Sequence, residues 1–372
     1  MTRNYCTESL QSIQSIQSIQ QQLDSLNLPF ANIFARALCA LLTGRKISLQ
    51  HVVNLMPGEQ SSEANRQQIR RCLNHQTMQA DIWAKAIEKL LPDSGWVLAL
   101  DRTEWRRGDT TVNLLVLAVV VSGCAVPLLW TVLPRCGNSD TKERKELLLR
   151  FLALFGRNRI QYLTADREFI GRDWIYWLLL WKIPFRIRIK ANEYLMAGAG
   201  GEKKAEKKAE KWFENRACRC KPKRMCLWGL WVFVGGKRLP CGSYLIVISN
   251  EASDDLWEDY KVRWKIETLF QAMKGRGFDL ESCRLSEEKR LSGWFGFLSL
   301  GLCWCLKVGQ MLERETPLPR KKHGRRAISV FQRGLRQLQK LLAPLSGCLC
   351  RERFSQAIAI LRPEVGLEIG IG

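Results

Sequence analysis

Two aspartates each close an apolar run. Asp101 ends WVLALD and lies within LDRTEW, and Asp166 follows Ile160–Ala165 within TADREF. A carboxylate at the C-terminal end of a buried strand is held rigidly while its oxygens stay accessible. That suits a hard cation such as Mg2+, which takes oxygen ligands and keeps several waters. An aspartate after a strand also serves as a turn or helix cap, so neither residue carries the reading alone. A third segment, DDLWEDYKVRWKIETLFQAMKGRGF, sets Tyr260, Arg263, Glu267 and Lys274 at steps of three, four and seven. At about 100° per residue these share one narrow face of a helix, with Val262, Ile266, Leu269 and Met273 on the other. A solvated face of ion pairs would have the same spacing. Two strand-end aspartates upstream favour a site.

Other chemistries lack their residues. The chain has three histidines, His51, His75 and His323, far apart in sequence, so the H-E-x-x-H zinc helix is absent. There is no G-x-S-x-G nucleophile elbow and no Walker A sequence. Cys218, Cys220, Cys226 and Cys241 cluster, but C-x-C is not a zinc-ribbon pair and no histidine lies nearby. The fourteen cysteines read as reduced thiols used as small core residues, because several sit in apolar runs and no secretory signal opens the sequence.

These carboxylates need elements to hold them. Trp96–Asp101, Thr111–Ser122 and Ala125–Leu133 read as three strands of an antiparallel meander, with turn residues Arg107-Gly108-Asp109 and Gly123 between them. Ser139–Phe155 reads as a helix, Ile160–Ala165 as a strand, Gly171–Trp181 as a helix and Pro184–Lys190 as an alternating strand. Residues 191–242 break this order, being Gly-rich, then Lys/Glu-rich, then basic, with strand-like pieces such as Leu227–Val234. They read as an insertion before core-type sequence returns at Ser243–Asn250 and a long helix at Ser253–Gly275. Upstream the pattern is helical: Asn32–Leu42, Ser61–Asn74, and Asp81–Leu91 with Asp81 as N-cap. Arg66 and Arg70 share a face of the second of these and are candidates to contact DNA. Residues 9–20 repeat every three residues, and the tail from Arg314 is basic and then mostly helical. Leu291–Leu306 carries no charge but is short for a bilayer, and it reads as a buried helix, with no membrane partner expected.

The spacing Tyr-x2-Arg-x3-Glu-x6-Lys, with LDRTEW and TADREFIG upstream, resembles the insertion-sequence-four family of bacterial DDE transposases, over roughly residues 95–285. The resemblance implies an α/β fold: a ribonuclease-H-like core of mixed sheet flanked by helices, with a mostly β insertion; the helical N- and C-terminal regions carry no signature of the family and rest on charge and periodicity. The chain then divides into 1–94, helical and DNA-binding; 95–190, first part of the core; 191–242, insertion; 243–310, second part of the core; and 311–372, basic and helical. Asp101, Asp166 and Glu267 take the family's acidic positions and would hold two Mg2+ ions, with Mn2+ as substitute, about 3.5–4 Å apart. Tyr260, Arg263 and Lys274 take the remaining signature positions and would hold DNA phosphates. The implied activity is cut-and-paste transposition by phosphodiester hydrolysis and strand transfer, on a dimer assembled over paired terminal inverted repeats, with target DNA as second substrate. If a hairpin intermediate forms, Trp212, Trp228 and Trp231 in the insertion are candidates to stack on a flipped base. Arg167 and Glu168 are candidates to contact DNA or orient a ligand.

Composition agrees with such a substrate. Lys plus Arg number 58 against 36 Asp plus Glu, a formal charge of +22, which points to a polyanion and makes a small neutral substrate a poor match. Apolar residues at 46% exclude a chain disordered throughout. The expected location is the bacterial cytoplasm, on the nucleoid. Competing readings are a ribonuclease-H-like nuclease without strand transfer, an inactive or regulatory DNA-binding relic of a transposase, and a membrane-associated basic protein.

Overall fold

A computed structural model describes residues 19–26, 30–44, 48–75, 80–107, 110–197, 206–214, 221–254, 256–275, 277–283, 287–319 and 326–342, with the isolated positions 17, 285, 321, 322, 367 and 368. Outside the described residues lie most of the tripeptide repeat, the turn positions Gly108 and Asp109, Cys218 and Cys220, Arg320, His323 and Arg325, and nearly all of the chain beyond 342.

The β-branched and apolar runs form the strands expected of them. β1 (Trp96–Arg107), β2 (Thr110–Val121) and β3 (Cys124–Leu133) make an antiparallel meander. Helix α5 (Thr141–Phe155) follows, opened by a capping box in which Asp140 and Glu143 bond each other's backbone amides. β4 (Ile160–Ala165), α6 (Arg172–Leu180) and β5 (Phe185–Ile189) complete the first half. β4 runs parallel to β1, and β5 parallel to β4. The remaining strands are β6 (Tyr194–Met196), β7 (Lys207–Lys208), β8 (Lys223–Leu227), β9 (Leu230–Arg238) and β10 (Tyr244–Ser249), with the short helix α7 (Ala209–Phe213) after β7. All ten join one sheet in the order β3-β2-β1-β4-β5-β10-β9-β8-β6-β7. The described strands of the 191–242 segment therefore extend the central sheet. The expected strand Leu227–Val234 is instead split by a tight turn at Trp228 and Gly229, both with positive φ, into the ends of β8 and β9.

Helices α1 (Ala31–Thr43), α2 (Leu49–Leu55), α3 (Ser62–Asn74) and α4 (Ala80–Glu88) precede the sheet. Ser61 caps α3 by accepting from the Ala64 amide. Asp81, expected as an N-cap, instead stands in the first turn of α4 and pairs with Arg150 of α5 at 2.6 Å. α8 (Leu256–Lys261) and α9 (Trp264–Met273) follow β10, then α10 (Glu288–Glu315) and α11 (Val330–Leu342). α10 is long and apolar enough to cross a membrane, yet 89% of its most apolar window lies buried inside the protein. It packs against α4, α11 and β3, which is the role of a core helix.

Two further expectations need correction. Asp101 does not end its strand, because β1 continues to Arg107 with only β2 beside it. Thr103 and Trp105 are buried while Glu104 and Arg106 are exposed, so the added stretch alternates as a one-sided strand does. The long helix Ser253–Gly275 is two helices. At Val262 and Arg263 the bonds tighten to Arg263 N–Tyr260 O (3.1 Å), Lys265 N–Val262 O (3.0 Å) and Ile266 N–Arg263 O (2.9 Å). Val262, Ile266, Leu269 and Met273 are buried as the periodicity requires, and α9 packs across β1, β2 and β3.

Candidate active site

Strand register brings three charged residues into line. Leu100 of β1 pairs with Ala165 of β4, and Ala165 with Ile187 of β5. The next residues along these three parallel strands are Asp101, Asp166 and Arg188. The residues behind them are apolar and buried, which fixes the strands while leaving the following side chains at the sheet's edge of pairing. Each aspartate is oriented by the amide that follows it: Oδ1 of Asp101 accepts from Arg102 N at 2.8 Å, and Oδ1 of Asp166 from Arg167 N at 2.7 Å.

The turn between α8 and α9 supplies the other half. Arg263 Nη1 donates to Oδ2 of Asp101 at 3.4 Å, and its Nη2 donates to Oε1 of Glu267 at 2.9 Å. Its Nε donates to the Tyr260 hydroxyl at 3.1 Å, and that hydroxyl donates to Oδ1 of Asp166 at 3.2 Å. Arg188 Nη1 approaches the same Asp166 oxygen at 3.9 Å. Asp101, Asp166, Glu267, Tyr260 and Arg263 thus meet in one network. Arg263 and Tyr260 are buried, at 4% and 3% exposure, so this is not a solvated helix face.

Burial governs the electrostatics. It pushes the Asp101 carboxyl up to about 6, helped by the negative Asp166 and Glu168, against the pull of the Arg102 amide and the Arg263 guanidinium. It likewise pushes the Tyr260 phenol up to about 12, which keeps it a hydrogen-bond donor. For Arg263 burial works downward, but Tyr260, Asp166, Asp101 and Glu267 outweigh it and raise the guanidinium above its ordinary value.

The donor set can be tested for a divalent cation. Among the described residues no three His, Cys, Asp or Glu side chains stand ready to share one ion. The chemistry nevertheless fits. Two carboxylates, Asp101 and Glu267, share the Arg263 guanidinium, a cation in their midst, and Asp166 reaches it through the Tyr260 hydroxyl. Asp101, Asp166 and Glu267 are the residues that could hold a metal, once Arg263 yields its place.

The other expected residues lie elsewhere. Lys274 turns to β1, donating to the Glu104 carbonyl at 2.9 Å, pairing with Glu281 at 3.2 Å and lying 5.8 Å over the Trp105 ring. Arg66 pairs with Glu63 at 3.3 Å and also donates to Gln50, and Arg70 is exposed on α3. Neither belongs to the network. Trp212 donates to the Leu195 carbonyl and Trp228 to Glu193, whereas Trp231 is 45% exposed beneath Arg224. Arg188 is the residue that sequence reasoning missed. Its signal was the alternation in PFRIRIK, which puts Arg186 and Arg188 on one strand face. Arg188 is half-buried, whereas Arg186 on the same face is buried and pairs with Asp259 of α8 at 3.0 Å, which docks that helix on the sheet.

A mixed sheet thus sets two aspartates on adjacent parallel strands beside a glutamate on a following helix, which makes one shared acidic site. A family model described as transposase DDE domain matches residues 92–304, more than half of the chain. The chain belongs to this family of transposase domains. A search of curated proteins found no match.

Proposed function

We propose that this protein is a cut-and-paste DNA transposase of the insertion-sequence-four type, acting from the bacterial cytoplasm on the nucleoid. The observation that carries the reading is the Arg263-centred network joining Asp101, Glu267, Tyr260 and Asp166. The strand order β3-β2-β1-β4-β5, with β1, β4 and β5 parallel, supports a ribonuclease-H-like core.

Asp101, Asp166 and Glu267 would hold two Mg2+ ions, or Mn2+ in their place. When bound, these supply an activated water or 3′-hydroxyl and charge stabilisation of the leaving oxygen at the scissile phosphodiester. The protein's own groups do the rest. Asp101 and Asp166 keep a fixed orientation through their following amides, so little reorganisation is needed at the moment of reaction. With its carboxylates given over to a bound cation, the Arg263 guanidinium would be available to a DNA phosphate beside the site. Arg188 offers a second guanidinium from the other flank. Tyr260, held neutral by burial, donates to a phosphate oxygen. Lys274 anchors α9 to β1 and supplies positive charge at the mouth. Arg66 and Arg70 on α3 contact DNA backbone away from the chemistry, within a dimer assembled on paired terminal repeats.

The test uses a duplex carrying the inverted repeats that flank the coding region. Wild-type protein with Mg2+ nicks and then joins the ends. Asp101→Ala, Asp166→Ala and Glu267→Ala each retain duplex binding and lose cleavage. Retained cleavage by any of them refutes that assignment.

One observation favours a second reading. Arg263 already neutralises two of the carboxylates, which is the arrangement of a regulatory relic that binds DNA without cutting it. Absence of nicking by wild-type protein at any divalent-metal concentration would select it.

A further inference from the structure

β1 and β4 hold each other by parallel pairing only as far as Leu100 and Ala165. Asp101 and Asp166 are the first residues beyond that ladder, so backbone pairing does not set their separation. Another contact spans the gap. Arg102 alternates with Asp101 and so leaves β1 on the opposite face. Its Nε donates to Oε1 of Glu168 at 2.9 Å and its Nη2 to Oε2 at 3.5 Å, a two-pronged pairing with a definite geometry.

Both partners are themselves fastened. Arg102 Nη1 donates to the Asn113 side chain on β2 at 3.2 Å, and also pairs with Glu104. Asn113 is buried and donates onward to the carbonyls of Arg135 and Gly137 at 2.8 and 2.9 Å. The Glu168 carbonyl accepts from Arg144 of α5 at 3.3 Å, as does the Ile170 carbonyl. Arg144 is buried and held in turn by Ser139. The turn that carries Asp166 is therefore tied to the strand that carries Asp101 through one side chain, and to α5 through its backbone. The Arg102 and Glu168 side chains are 15% and 24% exposed, so the pair is shielded from most solvent competition.

We propose that Arg102 and Glu168 form a positioning clamp that sets the spacing of Asp101 and Asp166, and thereby the affinity of the site for a divalent cation. The clamp rests on the metal-dependent reading above. Neither residue is a catalytic group; each acts through the carboxylate beside it. Groups that orient metal ligands change metal affinity by about 10–100-fold when removed.

The experiment titrates Mn2+ alone into the purified full-length protein and counts free ion by electron paramagnetic resonance. Thermal unfolding in EDTA is measured on the same samples. Wild-type protein should bind Mn2+ saturably and Asp101→Asn should abolish it. Arg102→Gln and Glu168→Gln should each weaken binding about tenfold or more. Arg102→Lys keeps the charge but not the fork and should fall between, which keeps the test available if the glutamine variant fails to fold. The exchange of both residues, R102E with E168R, should recover part of the loss. Variants that lower the melting temperature but bind Mn2+ as wild type does would make the pair merely structural and overturn the clamp. Loss of all binding in Glu168→Gln, as in Asp101→Asn, would make Glu168 a ligand and overturn it too. Wild-type protein that binds no Mn2+ would overturn the metal reading itself, and the clamp with it.

Discussion

Arg263 reaches one turn along its own chain to Glu267, at 2.9 Å, through the first bonds of α9. The same guanidinium lies 3.4 Å from Asp101 on a strand far away in sequence. One buried cation thus holds together two carboxylates that would otherwise repel each other. Its removal separates the structural part of this network from the chemical part.

Replacing Arg263 with Met should cost about 3 kcal/mol of folding stability in EDTA, because it leaves two partly buried carboxylates without their counter-charge. Mn2+ should restore part of that loss, and should raise the melting temperature more in the variant than in the wild type. Calorimetry with and without Mn2+ checks this. Equal shifts in the two proteins would mean that Arg263 and the metal do not share a site.

Asp101 titrates near 6, above its ordinary value, chiefly because it is buried. Below that pH the carboxyl is protonated and must release its proton for an ion to bind, so Mn2+ affinity should fall about tenfold per pH unit under pH 6. The stability consequence has the opposite sense. A carboxyl that is harder to ionise when folded destabilises the folded state as pH rises from about 4 to about 6, and the penalty stays constant above that. Asp101→Asn should therefore stabilise the metal-free protein at pH 7.5, by about 3 kcal/mol, and have little effect at pH 4. Denaturant melts at the two pH values decide it.

Arg188 lines up with the two aspartates on the third parallel strand, and its Nε is buried without a hydrogen-bond partner. A guanidinium held ready at the edge of the carboxylates is suited to a phosphate oxygen. Arg188→Gln should slow single-turnover cleavage about 100-fold and leave the melting temperature nearly unchanged. A rate within about twofold of wild type would remove Arg188 from the site.

The helix pair at the C-terminal end gives a stability test remote from the chemistry. A Cβ on Gly334 of α11 would stand 1.7 Å from the Cys305 carbonyl of α10. No rotamer relieves a clash with backbone, so Gly334→Ala should destabilise the protein by at least about 3 kcal/mol. Urea unfolding measures it.

Much of this architecture was legible because the relevant signals are local. Uncharged β-branched stretches such as Thr110–Val121 have no alternative to a buried strand, and the apolar face of α9 shows in its helical period. The spacing of Tyr260, Arg263 and Glu267 survives the break between α8 and α9, since a tightened turn at Arg263 still turns all three inward. The break itself was not legible: nothing in YKVRW marks it, and it accompanies an Arg263 side chain drawn to Asp101 across the fold. The extension of β1 was missed because DRTEWRR is charged, although Thr103 and Trp105 kept the alternation. Lys274 had the period of the signature, but its position at the C-terminal end of α9 lets it turn away to β1. Arg188 and the Arg102–Glu168 pair depend on strand register and on contacts across the sheet, which no single segment encodes.

The central claim is that Asp101, Asp166 and Glu267 together grip divalent cations on DNA. Anomalous diffraction from crystals of the protein with terminal-repeat DNA and Mn2+ tests it most directly. Two manganese peaks coordinated by these three side chains, with Arg263 withdrawn toward a phosphate, are expected. Peaks bound elsewhere, or Arg263 still bridging Asp101 and Glu267 with no metal between them, would contradict the account.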